Sequence, residues 1–472
     1  MPNQTVRRLC HLALVVPLLG ALSPAALADT EDLKLTASDA AASDSFGSSI
    51  AIDAGLVVVG APEDDDNGSS SGSAYIFEAA TGAQLRKLIA DDGLFGDLLG
   101  TSIAIDGGIV AVGAPRNDLN TLESVGSVYI FDASTGLQIA DYFADDYALQ
   151  DQFGYSVAIS NGIVAIGAPY NDDNGTDSGS AYVFDVATGT QLFKLLPDDG
   201  ESLDLFGWSI AIDNGIIAVG SKWDDDNGSN SGSVYLFDAA TGVQLRKLLP
   251  INGPSGANFG YSVSIDNGTV AVGAALYNGG SGLNFGAAYL FDAATGLQTA
   301  ALVRADGAQG DYFGWSIAID SGLVVVGARY DRDNGSQSGS AYLFDAATGA
   351  QVAKLLPSDG AVGDQFGWSA AAGDGVVGVG AYRDDAAAID SGSAYLFFTQ
   401  PPCPADLTGD GVLNFFDLAA FIALYNANDP AADLAAPFGV FNFFDLAAYI
   451  ASYNAGCLST LRRRGWAQHL RV

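Results

Sequence analysis

Seven near-copies of one unit run through this sequence. They start at Phe46, Leu99, Phe153, Phe206, Phe259, Phe313 and Phe366, and neighbouring starts lie 53 or 54 residues apart. The fourth copy shows what the unit encodes. Ser209–Asp213 and Ile216–Gly220 are two short apolar runs joined by Asn214-Gly215. Both residues of that pair tolerate positive φ, so the runs read as a tight hairpin. An acidic loop, Asp224–Gly228, leads to a third alternating run, Ser233–Asp238, and a turn at Thr241-Gly242 leads to a fourth, Gln244–Leu249. The fourth run is the most polar and is expected at the outer edge, where Arg246 and Lys247 would be exposed and discourage pairing with other sheets.

Four antiparallel strands repeated at this period describe the blade of a β-propeller. A parallel β-helix is the competing solution, but its coils are shorter and lack tight hairpins. The inner runs are rich in Val, Ala and Gly rather than strictly alternating, as expected for strands covered on both faces by neighbouring blades. The seventh copy supplies strands at 368–372, 376–380 and 392–398 and then reaches Pro401-Pro402 without a fourth. Asp32–Thr36, followed by Ala37-Ser38-Asp39, carries the fourth-strand pattern. The expected fold is therefore all-β, a seven-bladed propeller over 29–400 whose N-terminal strand completes the last blade.

Residues 1–28 read as a secretory signal peptide: Arg7-Arg8, an apolar stretch from Leu12 to Leu22, and the small-residue site Ala26-Leu27-Ala28. No other apolar run is long enough to span a membrane. The formal net charge is −36, from 19 basic and 55 acidic residues, which disfavours nucleic acid and anionic membranes as partners. Cys10 lies in the leader; Cys403 and Cys457 flank the C-terminal region and in an oxidising compartment either pair or remain as two thiols. The two His, His11 and His469, sit in the leader and the tail, so neither folded region has a histidine for Ser-His-Asp, Cys-His or zinc chemistry.

Phe46-Gly47…Gly60-Ala61-Pro62 and Phe153-Gly154…Gly167-Ala168-Pro169 resemble the FG-GAP repeat of integrin α-subunit propellers and their bacterial relatives, across about 32–398. The resemblance implies the same closed seven-bladed ring and a role in adhesion. Many such repeats carry a calcium loop between their first two strands; here that link is only Asp213-Asn214-Gly215 or its equivalent, too short to wrap a cation that takes six to eight oxygens. The second copy has Leu99 for Phe, and Gly220-Ser221-Lys222 and Gly273-Ala274-Ala275 lack the Pro.

Two features of the units carry candidate chemistry. Asp64–Gly68, Asn171–Gly175, Asp224–Gly228 and Asp331–Gly335 recur at one phase, with Asp384-Asp385 in the seventh copy and no acids in the fifth. They suit either calcium or a solvated turn. Tyr155, Trp208, Tyr261, Trp315 and Trp368 each follow Phe-Gly. They form either a ring for stacking on a sugar or partner, or packing between blades.

A second module spans 401–458. Asp406, Thr408, Asp410, Val412 (through its carbonyl), Asn414 and Asp417 stand at positions 1, 3, 5, 7, 9 and 12 of a calcium loop, with Gly411 at the turn. A helix over roughly 415–426 should follow, with Leu418, Phe421, Ile422 and Tyr425 on one face. The pattern recurs at Asn442–Ile450, after a damaged loop at Asp433–Gly439. A duplicated loop–helix of this kind resembles a dockerin, which implies bound Ca2+ and a cohesin-like partner. Residues 459–472 form a basic tail. The expected function is a secreted, monomeric, non-enzymatic adhesion protein that binds an extracellular protein or glycan. The alternative is a carbohydrate-active propeller using paired Asp residues.

Overall fold

Asn214 and Gly215 both adopt positive φ, 47° and 76°, and close the hairpin expected between the first two strands of their unit. In the computed structural model, which describes residues 28–119, 122–251, 253–278, 284–399 and 415–427, that hairpin is the inner half of a four-stranded antiparallel sheet. Phe206–Asp213, Ile216–Ser221, Ser233–Asp238 and Gln244–Leu248 pair in chain order. Seven such sheets follow one another, and the innermost strand of each packs on the innermost strand of the next, the seventh meeting the first.

The last sheet is assembled from both ends of the propeller sequence. Leu33–Leu35 pairs antiparallel with Ser393–Phe398, in the register Leu33↔Leu396 and Leu35↔Ala394. This is the closure expected from the sequence. Closure leaves only short edges unpaired. One edge is covered further: Ala28–Asp29 adds a parallel fifth strand to the outer edge of the sixth blade, opposite Lys354 and Leu355. The remainder of the expected leader, residues 1–27, lies outside the described residues.

The glycines of the repeated motif explain how the blades touch. A methyl group placed on Gly60 would overlap the carbonyl oxygen of Gly100 in the next blade, and the same holds for Gly113 on Gly154, Gly220 on Gly260 and Gly380 on Gly47. Beside each contact a serine hydroxyl crosses the same gap: Ser49 Oγ donates to Gly100 O at 2.7 Å, and Ser369 Oγ to Gly47 O at 2.7 Å. The aromatic residue of the motif belongs to the apolar core between blades. Phe46 is fully buried and meets Tyr75 and Phe77 edge-on at 5.5 and 5.8 Å.

The outer strand differs from expectation in one respect. Arg246 is exposed and donates to the backbone of Ala293 and Ala294 in the next blade, but Lys247 is folded inward with its side chain only 15% exposed. Successive residues of a strand point to opposite faces, so the two cations could not both guard the edge.

In the C-terminal region the helix Phe415–Ala427 forms where it was expected. Phe421 is buried, Leu418 and Tyr425 are half-buried and Ile422 is exposed, so the expected apolar face is not uniformly covered. No helix among the described residues is long and apolar enough to cross a membrane.

Candidate functional site

Each blade has two ends. The first-to-second and third-to-fourth turns lie at one; the second-to-third loops, the links between blades and the residues after Phe-Gly lie at the other. Both candidate features therefore share one face of the disc.

The acidic loops are built into that face by lysines. Lys87, on the outer strand opposite Tyr75, reaches Asp39 at 2.8 Å, Asp64 at 3.0 Å and Asp66 at 2.6 Å. Lys247 makes the same contacts with Asp199, Asp224 and Asp226, and Lys354 with Asp306, Asp331 and Asp333. Lys34, from the closing strand, holds Asp359 and Asp384; Lys194 holds Asp146 and Asp173. One carboxylate in each set comes from the link that enters the blade, so the node ties blade to link. A tyrosine completes it: Tyr235 Oη, with one proton to share, lies 2.6 Å from Asp224 and 2.9 Å from Asp199, with Lys247 Nζ 4.9 Å from its ring centre.

The charges follow. Burial disfavours the Lys87 ammonium, but its bonds to Asp39 and Asp66 outweigh burial and hold its pKa above the ordinary lysine value. Burial pushes the Asp199 carboxyl up, and the bonds from Lys247 and Tyr235 prevail and hold it below the usual range. Where the loop has lost its acids the lysine is gone too. In the fifth blade Tyr277 takes the place of the first loop acid, and Ala301 stands opposite Tyr289. The loop carboxylates thus have a structural partner already, which favours the turn reading over calcium. Among the described residues no group of three or more His, Cys, Asp or Glu is arranged to hold a metal ion.

A second set of carboxylates was not anticipated. Asp204 lies buried beside Asp224, and Asp364 beside Asp384. Burial first, and the neighbouring carboxylate second, push each up to about 6. In the third blade the loop residue is Asn171, whose amide donates to Asp151 at 3.1 Å and removes that repulsion.

The aromatic residues do form a continuous set. Ring centres are 4.6 Å apart for Tyr155–Trp208, 5.8 Å for Trp208–Tyr261, 4.5 Å for Tyr261–Trp315 and 5.1 Å for Trp315–Trp368. Each ring comes from a different blade and each is half-buried, so the set both packs and presents a surface. It is a crescent rather than a ring, because Ser48 and Thr101 occupy the position in the first two blades. The residue just after the second strand varies along the crescent. Pro62, Pro115 and Pro169 give way to Lys222, Ala275, Arg329 and Tyr382 in the later blades. Arg329 lies 3.4 Å from the Trp315 centre and Tyr382 4.1 Å from Trp368. The missing Pro was visible in the sequence; what its replacements would touch was not.

A recess on the opposite face, lined in part by Leu56, Arg86, Gly108 and Asp132, offers little chemistry: Arg86 already donates to Ser134 O, and Asp132 accepts from Thr135.

Of the residues expected to bind calcium, Asp406, Thr408, Asp410, Val412 and Asn414 lie outside the described residues, as do Cys403, Cys457 and the second copy at 442–450. Asp417 falls in the first turn of the helix.

No curated protein matches the chain. The FG-GAP repeat matches it seven times, at 30–77, 83–131, 137–184, 190–237, 243–291, 297–344 and 350–397. Each match begins at the outer strand of one blade and runs through the three inner strands of the next, which is the offset that Leu33–Leu35 requires. With well over half its length covered in this way, the chain belongs to the FG-GAP repeat family.

Proposed function

We propose that this is a secreted, non-enzymatic binding protein. The aromatic crescent recognises an extracellular glycan or protein, and the dockerin-like module at 401–458 attaches the molecule through a Ca2+ loop to a cohesin-like domain. The observation that carries the first half is the crescent itself. Five blades deliver a Tyr or Trp to one mouth, and each of these side chains is only half-buried. Aromatic faces of this size supply much of the binding energy in stacked recognition. The paired carboxylates speak for binding rather than hydrolysis, since they recur at equivalent places in two blades, each buried beside a loop carboxylate.

The test is capture from culture medium by the full chain, with and without calcium, beside hydrolysis assays on polysaccharides. Binding lost on replacing Trp208 and Trp315 by Ala, with no hydrolysis, supports the proposal. Turnover that disappears on replacing Asp204 by Asn would overturn it.

A further inference from the structure

The mouth holds two cations with no counter-ion. Lys222 is 7% exposed, yet no hydrogen bond or ion pair takes up its ammonium among the described residues. It lies 2.7 Å from the ring centre of Trp208, 5.0 Å from Trp223 and 5.6 Å from Tyr261. Arg329 is stacked 3.4 Å from Trp315 and 4.8 Å from Trp368. Its Nε is buried without a partner, and its one bond runs from Nη1 to Gln365 Oε1 at a long 3.5 Å. The groups that act on it most strongly, after burial, are tyrosines.

Both placements differ from those of the node lysines. The five node lysines each hold two or three carboxylates. Lys222 is more buried than Lys87 or Lys247 and meets no carboxylate, in a chain with 55 acidic and 19 basic residues. Burial alone pushes Lys222 down to about 7, and the aromatic rings beside it offset that cost only in part, with no carboxylate to help. A ligand carboxylate would offset it, since charge-assisted bonds are the stronger class.

The rings around these cations narrow the ligand. The Trp and Tyr side chains of the crescent are only half-buried, and such rings suit the apolar face of a pyranose. We infer that the mouth binds an acidic sugar chain, a hexuronate whose rings stack on the crescent and whose carboxylates meet Lys222 and Arg329. This rests on the crescent being the recognition surface proposed above, and adds the charge of what it recognises.

The experiment titrates the full chain with tetragalacturonate, maltotetraose or oligoglutamate, read by tryptophan fluorescence and calorimetry. Tetragalacturonate should bind saturably and quench the emission. Lys222→Met and Arg329→Met should each weaken it by about tenfold or more, with unfolding midpoints no lower than in the unaltered chain, and Lys222→Arg should restore most of it. Equal binding of maltotetraose, equal binding of oligoglutamate, indifference to both Met variants, or no binding of tetragalacturonate would each overturn the inference. If a partner is still captured through Trp208 and Trp315 in those cases, the acidic-sugar inference falls alone. If Trp208→Ala and Trp315→Ala leave both capture and sugar binding intact, the recognition surface itself was misplaced.

Discussion

Gly380, at the end of the second strand of the last blade, lies directly on Gly47 of the first, with no room for a methyl group between them. Ser369 Oγ donates to Gly47 O beside the contact. The same pair of glycines recurs between every two neighbouring blades.

Replacing Gly380 by Ala should therefore cost about 3 kcal/mol, the upper range for overpacking against backbone that cannot yield. Gly108→Ala is the control: unlike Gly380 it has a left-handed φ, 81°, but nothing lies within reach of an added methyl group. It should cost only about 1 kcal/mol for the backbone conformation. Guanidinium unfolding midpoints of the two variants check the difference.

The closing strand can be tested at Leu35, which is 1% exposed and packs with Phe46, Tyr75 and Leu396. Leu35→Asp buries a carboxylate without a partner and should destabilise by about 3 kcal/mol or more. Hydrogen exchange should then quicken first in Ser393–Phe398, the strand it pairs with. Uniform loss of protection across all blades would contradict this.

Lys247→Met should lower stability by about 2–3 kcal/mol, because Asp224 stays buried and loses its cation. The fifth blade shows the remedy, having neither the lysine nor the acid. Lys247→Ala combined with Asp224→Ala should cost less than the sum of the single changes. A double-mutant cycle measured by chemical denaturation reads the coupling directly.

Two classes of carboxyl give opposite pH dependences. Asp204 and Asp364, held at about 6, are raised above their unfolded values. Their contribution to stability is fully present below the ordinary carboxylate range and is lost as pH rises through about 6. Asp39, Asp146, Asp199 and Asp359 are held below their usual values; burial opposes this, and their lysine partners overcome it. Their contribution is present above the ordinary value and is lost on further acidification. Stability should thus increase from neutral pH down to about 4, the ordinary carboxylate value, and fall below it. Carboxyl NMR should find Asp204 titrating near 6, and Asp224→Asn should bring it down by copying the Asn171 arrangement.

Calcium belongs to the C-terminal module in our reading. Calorimetric titration of the chain should show one tight site, absent in Asp406→Ala. Further sites that survive the substitution would return the propeller loops to consideration.

The ring, the blade count and the closing strand were legible because they follow from spacing and from hairpin chemistry at positions such as Asn214-Gly215. The helix at Phe415–Ala427 was legible for the same reason, as a local pattern. The lysine nodes were not. Lys247 meets Asp199 only because the outer strand of one blade folds back beside the link that enters it, a relation between residues 48 apart. Lys222 and Arg329 were harder still, since their neighbours Tyr261 and Trp368 belong to other blades. Long-range placement is set by ring geometry, and no local pattern records it.

Pairing of Leu33–Leu35 with Ser393–Phe398 also fixes when the molecule can be finished. As the chain leaves the ribosome, its earliest propeller strand has nowhere to dock for more than three hundred and fifty residues. Six blades can form in order, but the circle stays broken until the last partner emerges. Through that interval an unpaired segment is exposed at each end, so the newly made protein is most open to proteases and wrong partners just before it is complete.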